Sequence, residues 1–297
     1  MAERVHRFVS NDFTVRAAAV NATAVVQEMQ NLQRTKPIPT VAVGRAMVGA
    51  TLMASQMKEG SVGLYFKTGA GLLAVYAEGH YEGQVRGYCP VPDFDPGSYT
   101  QGLSLKPHLF PGHLTVARHQ PFQKQPFMGT VTLVSGEIGD DIAHFLHQSQ
   151  QIRSVVSLGV FLDSFGQVRS AGGVIVEVMP GVGEDIIKLL EANVEKERET
   201  VSKLLLDGAT PQDLVKPFLV NIPFTEIDHE FDLKYACPCT KERVVSAVET
   251  LGWQELQDMI NKGEEADVTC QVCGRPYKLT VAELTDIKNR LYRQTLN

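Results

Sequence analysis

The stretch Tyr235-Ala-Cys-Pro-Cys-Thr-Lys-Glu-Arg-Val244, answered further on by Cys270-Gln-Val-Cys273, decides how this chain is read. Cys237 and Cys239 form a CxC pair, and Cys270 and Cys273 form a CxxC pair. Thirty residues, 240–269, separate the two. Two close cysteine pairs flanking a loop are the signature of four thiolates holding one tetrahedral zinc ion, with bonds of roughly 2.3 Å. The spacing therefore predicts a single Zn2+ on Cys237, Cys239, Cys270 and Cys273 in the reduced protein. The segment that carries them, 232–297, has 66 residues. Domains this small bury little apolar surface and commonly need a staple.

Two roles suit such a site. One is purely structural, since zinc binding contributes on the order of 10–16 kcal/mol of apparent folding energy in small modules. The other is a switch. Cysteines two apart can approach the Cα separation of about 4.4–6.8 Å that a disulfide tolerates. Zinc ties two pairs together across 30 residues, whereas local crosslinks tie nothing across that gap and constrain the unfolded chain little. Losing the metal in exchange for local bonds would remove what holds the module together. Zinc-bound sulfurs are deprotonated, and thiolates are what oxidants attack.

Upstream of the cysteines lies a different pattern. Pro180-Gly-Val-Gly183 marks a boundary. After it Ile186, Leu189, Leu190, Val194, Val201, Leu204 and Leu205 fall on one helical face, with the charge run Glu195-Lys-Glu-Arg-Glu199 between them. This reads as one amphipathic helix with a thin apolar stripe, which holds only by docking on a neighbour. A second short helix starts near Pro211, so 181–231 is expected to be a helical linker of low intrinsic stability.

The remainder, 1–180, reads as mixed α and β. Strands are expected over 13–20, 62–67, 72–78, 84–88, 114–118 and 130–134, with a hairpin of 155–162 and 168–178 joined through Gly166. Helices are expected over 23–34, 41–57 and 138–150, with Pro37 and Pro39 breaking the chain between the first two. No β-α-β alternation is sustained, which argues for α+β. The whole is an N-terminal α+β domain, a helical linker and a small C-terminal four-cysteine zinc domain, with boundaries at 1–180, 181–231 and 232–297.

Composition excludes several classes. The net charge is −6, and a general nucleic-acid binder is normally basic. The N-terminus has no apolar stretch of the signal-peptide kind. The longest apolar run, 40–57, carries Arg45 in its middle, short of a membrane span. The expected location is the cytosol, where clustered cysteines are metal ligands or redox centres more often than structural disulfides.

Together with Leu251-Gly252, Glu255-Leu-Gln-Asp-Met-Ile260, Gly44-Arg-Ala-Met47, Gly83-Gln-Val-Arg-Gly-Tyr88, Ser157-Leu-Gly-Val160 and Ala171-Gly-Gly173, the cysteine stretches resemble the redox-regulated bacterial chaperone family known as heat shock protein 33. The resemblance covers essentially the whole chain. It implies an ATP-independent holdase and not an enzyme, inactive when reduced and zinc-bound. It implies that peroxide or hypochlorite, with an unfolding stress, ejects the zinc and forms two disulfides, Cys237 with Cys239 and Cys270 with Cys273. The linker then unfolds, the protein acts as a homodimer, and it binds unfolding clients that pass later to ATP-dependent chaperones. The family often has a small or apolar residue where this chain has Cys89, so no role is carried over to that residue. It reads as a buried or loop cysteine, the alternative being an intermolecular disulfide.

Other constellations carry less. Gly69-Ala-Gly71 lacks a third glycine and does not open a helix, and no phosphate-binding loop exists. His144 and His147 sit three apart on an expected helix and read as surface or core residues, a metal site being the lesser alternative; His108, His113 and His119 fall in loop and strand segments and share no period. Trp253 reads as core of the zinc module. The competing function is a structural zinc module attached to an enzyme or an RNA-binding domain, against which the −1 charge of residues 232–297 argues.

Overall fold

A computed structural model describes residues 3–98, 103–197, 200–227 and 231–295. It divides into two compact units, Met1–Ala236 and Cys237–Asn297. The first holds β1 (Val5–Ser10), β2 (Val15–Asn21), α1 (Thr23–Gln33), α2 (Pro37–Ser55), β3 (Ser61–Thr68), β4 (Ala74–His80), β5 (Gln84–Tyr88), α3 (Lys106–Leu109), β6 (Gly112–His119), β7 (Phe127–Thr132), α4 (Gly139–Gln150), β8 (Ser154–Leu162) and β9 (Val168–Val178). It continues through α5 (Glu184–Lys196), α6 (Val201–Leu206), α7 (Pro211–Val215), β10 (Phe224–Ile227) and β11 (Lys234–Tyr235). The class is α+β, as expected.

Two sheets organise this unit. One runs β10-β1-β2-β9-β8 and the other β11-β5-β4-β3-β6-β7. All named pairings are antiparallel except β11 with β5. Helix α2 packs against strands of both sheets. Every residue of it except Pro37 and Arg45 is buried. A helix that is apolar all round can only be a core helix or a membrane span. This one is long and apolar enough to cross a membrane, with a mean hydropathy of 1.3, yet 94% of its apolar window is buried inside the protein. It is the core helix. Close approach is bought by glycine: a Cβ on Gly79 of β4 would lie 2.7 Å from the backbone of Ala50 and Thr51.

The five-stranded sheet is buried on both faces, and the period-two alternation of its strands shows it. Ala18, Val20 and Ile175 enter the core that contains α2. Val15, Ala17, Ala19, Val174 and Val176 face a second core, with Leu190 of α5, Val201 and Leu205 of α6, and Leu214 and Val215 of α7. The segment expected to act as a linker thus contributes three helices and one strand to the first unit.

Two expectations change. Pro37 and Pro39 do not break the chain ahead of the core helix; they form its first turn, where a missing N–H costs no hydrogen bond. The stripe from Ile186 to Leu205 is two helices, because Glu197 turns extended after Lys196 and Thr200 caps α6 by accepting from the Lys203 N–H. Of the charge run between them, Arg198 and Glu199 lie outside the described residues. The strands β1, β10 and β11 were not foreseen.

The second unit holds α8 (Lys241–Glu249), α9 (Trp253–Lys262), the antiparallel hairpin of β12 (Ala266–Thr269) and β13 (Pro276–Leu279), and α10 (Val281–Thr295). Its core is Val244, Val248, Leu256, Ala266, Leu279, Leu284 and Ile287.

Candidate metal centre

The CxC pair sits in an irregular stretch just ahead of α8, whose start is fixed by Thr240 accepting from the Arg243 N–H. The CxxC pair sits in the turn between β12 and β13. The Cys270 N–H donates to the Arg275 carbonyl at 2.9 Å, and the Gly274 N–H donates to the Cys270 carbonyl at 2.8 Å. Gly274 has φ +69°, the left-handed geometry such a turn favours in glycine.

These two segments bring Cys237, Cys239, Cys270 and Cys273 together, with all four sulfurs within 4.8 Å of one another. Two approaches cross between the pairs: Cys237 Sγ to Cys270 Sγ is 3.8 Å, and Cys239 Sγ to Cys273 Sγ is 3.3 Å. Four sulfurs at about 2.3 Å from a tetrahedral zinc stand about 3.8 Å apart. The cluster fits a metal ion of that kind. Among the described residues it is the one group of three or more His, Cys, Asp or Glu side chains placed to hold a metal.

The thiols are not equivalent. Burial pushes Cys237 and Cys273 up. Burial also works to raise Cys239, but hydrogen bonds from the Tyr277 hydroxyl and the neighbouring thiols outweigh it and bring this thiol down to about 7. Tyr277 Oη lies 3.1 Å from Cys239 Sγ and 2.9 Å from the Cys239 carbonyl oxygen. Nothing in the spacing of the cysteines pointed to this tyrosine; its one sequence signal is its place four residues beyond Cys273.

The remaining candidates fall elsewhere. Cys89 is 3% exposed in the main core of the first unit, its Sγ 3.5 Å from the Leu72 carbonyl, and burial pushes its thiol up to about 11. That matches an inert buried cysteine. His144 and His147 lie on α4, His113 and His119 on β6, and His108 packs edge-on against Phe94 with ring centroids 5.2 Å apart. Trp253 is not core. It stands in the open first turn of α9 and is 48% exposed, while Leu256 fills the inward face of that helix.

The family model described as "Hsp33 protein" matches residues 3–280. This chain belongs to the Hsp33 family. A "33 kDa chaperonin" of Latilactobacillus sakei is 34% identical over 283 residues, which cover 94% of this chain and 96% of that protein. The protein of the same description from Synechococcus elongatus is also 34% identical, covering 97% of each chain. The crystal structure of the 33 kDa chaperonin (heat shock protein 33 homolog) from Thermotoga maritima superposes with a TM-score of 0.87, at 28% identity and over 99% of each chain. Hsp33 proteins are chaperones, named as chaperonins and not as enzymes. The chain is accordingly a chaperone that binds client proteins and carries four cysteines positioned to hold a metal ion.

Proposed function

We propose that this chaperone is an ATP-independent holdase switched by oxidation, with Cys237, Cys239, Cys270 and Cys273 as the sensor. In the reduced state the four sulfurs hold one zinc ion, which keeps them deprotonated and ties the CxC segment to the β12–β13 turn. The observation that carries this reading is the convergence of the four sulfurs within 4.8 Å, in a unit whose core has seven buried side chains. Such a unit depends on its crosslink.

Oxidation removes that crosslink. Each disulfide forms in two steps. A thiolate attacks peroxide, an S–O bond forms, the O–O bond breaks, and the departing hydroxide takes up a proton as water. The second sulfur then displaces the sulfenic oxygen, which also leaves as water once protonated. Two peroxides and four protons convert four thiolates into two disulfides and four waters, and no thiolate remains to hold the metal. Cys237 pairs with Cys239 and Cys270 with Cys273.

The responding element is the linker, 181–231, between an N-terminal domain (1–180) and the zinc domain (232–297). Its helix α5 rests on the outer face of the five-stranded sheet beside an open cleft of about 590 Å3, whose apolar lining includes Val155, Val176, Val178, Ile187, Leu190 and Val194. A helix docked along one face only draws its stability from that docking. When it opens, its apolar stripe becomes available to unfolding clients. Homodimerisation on activation, transfer of clients to ATP-dependent chaperones and a cytoplasmic location belong to the same reading.

The test is zinc release with free-thiol counting before and after mild heat plus peroxide, together with far-UV circular dichroism and a client light-scattering assay. Loss of about one zinc and four thiols, with a fall in helix content and a gain in client protection, is the expected result. Retained zinc and an unchanged fold would leave the site structural only.

A further inference from the structure

We infer that Tyr277 is a positioning residue of the sensor: its hydroxyl, hydrogen-bonded to Cys239, holds that sulfur in the cluster and so restrains its oxidation. This rests on the redox-switch reading above and adds a residue outside the four cysteines.

The geometry is specific. Tyr277 stands opposite Val268 in the β12–β13 hairpin, so the register of that hairpin fixes where its ring lies. The ring packs on the core of the second unit. From there the hydroxyl reaches across to the irregular CxC segment, 38 residues away in sequence, and meets Cys239 at both its sulfur, 3.1 Å, and its carbonyl oxygen, 2.9 Å. The hydroxyl has a single proton, which it shares between the sulfur and the carbonyl oxygen of Cys239.

An O–H donated to a thiolate ties up a sulfur lone pair. Donors of this kind around metal ligands typically contribute 10–100-fold to metal affinity. They also lower nucleophilicity. Thiolate reactivity follows basicity with a Brønsted slope of about 0.4–0.5, so a tenfold change in basicity alters the rate about threefold. In the attack on peroxide a sulfur electron pair makes the S–O bond as the O–O bond breaks, and a sulfur that shares its electrons with the tyrosine proton gives them up less readily.

The experiment uses the full reduced chain loaded with zinc, as wild type and as Tyr277→Phe, which keeps the ring and removes the oxygen. Zinc affinity is read by competition with a chromogenic chelator, and zinc release is timed under hydrogen peroxide. The cobalt(II)-substituted proteins give the sulfur-to-metal charge-transfer band. We expect Tyr277→Phe to bind zinc about 10-fold or more weakly, to release it about threefold or more faster under peroxide, and to move the cobalt band to longer wavelength. Weaker binding with an unmoved band and an unchanged oxidation rate would make Tyr277 merely structural and overturn the inference, as would no change in any readout. Wild type that keeps its zinc under peroxide would instead overturn the switch reading itself.

Discussion

Arg45 Nη1 lies 2.7 Å from Oε2 of Glu137, joining the one charged residue of the core helix α2 to the loop that leads into α4. The other oxygen of Glu137 accepts from the Ser104 hydroxyl at 2.6 Å and from the Leu105 N–H at 3.1 Å. One carboxylate therefore both neutralises the charge in the helix and closes the chain ahead of α3. Glu137→Ala removes every one of these partners at once. It is expected to destabilise the first unit by about 2–3 kcal/mol in urea unfolding, less than a fully buried pair would lose because both side chains keep some exposure.

The same carboxylate makes that stability depend on pH. Burial acts to raise Glu137, but the Ser104 hydroxyl and the Arg45 charge outweigh it and hold the group below its usual value. A depressed folded value means the contribution is fully present above the unfolded value of about 4.3 and is lost as pH falls through the folded one. The stability gap between wild type and Glu137→Gln should thus be largest near neutrality and shrink below about pH 4. A gap that stays constant from pH 7 to pH 3.5 would rule out this role.

Helix α2 and β4 meet at Gly79. A methyl group there would press on backbone atoms of Ala50 and Thr51 at 2.7 Å, and backbone cannot swing aside as a side-chain tip does. Gly79→Ala is expected to cost about 1–3 kcal/mol by thermal or urea unfolding. Gly69→Ala, where a Cβ meets nothing within 4 Å, should stay within about 1 kcal/mol of wild type. Equal effects at the two positions would contradict the close approach.

The division between what could and could not be read beforehand follows the range of the interactions. The four cysteines, α1, the core helix and the β8–β9 hairpin are written in local spacing and periodicity, and they were legible. The start of α2 was misplaced because Pro37 and Pro39 signal a break and a first turn equally well. Strand β10 pairs with β1 over more than 200 residues of chain, Arg7 opposite Ile227, and four residues hold no pattern that announces such a partner. Trp253 looked like core by residue type, but its place at the open end of α9 leaves it half exposed. Tyr277 was missed because its importance lies in a contact with Cys239 that only the hairpin register creates.

Asn193 latches the linker. It is 3% exposed on α5, and its side-chain amide donates to the carbonyls of Phe218 and Val220, both at 3.0 Å. Asn193→Ala leaves two carbonyls without that donor. The expected loss is about 2 kcal/mol of local stability. If the linker is the responding element, this variant should show faster amide exchange over residues 181–227 and partial client protection without oxidant. Faster exchange with no gain in protection would separate linker opening from activity.

Metal removal distinguishes a sensor from a staple. With seven buried core residues, the unit Cys237–Asn297 should lose its fold when a strong chelator is added to the reduced protein, and limited proteolysis should then cut within it. The informative cuts lie further upstream. Helices α5–α7 pack on the sheet of the first unit through Leu190, Val201, Leu205 and Leu214, and those contacts include no cysteine of the cluster. If the metal site were only structural, cleavage would stop at the second unit and 181–227 would stay protected. If the linker depends on the folded zinc domain, cleavage sites mapped by mass spectrometry should extend into 181–227 in chelated protein, while the β1–β9 region resists. The switch predicts the extended pattern and its reversal on adding zinc back, because no disulfide has formed to trap the open state.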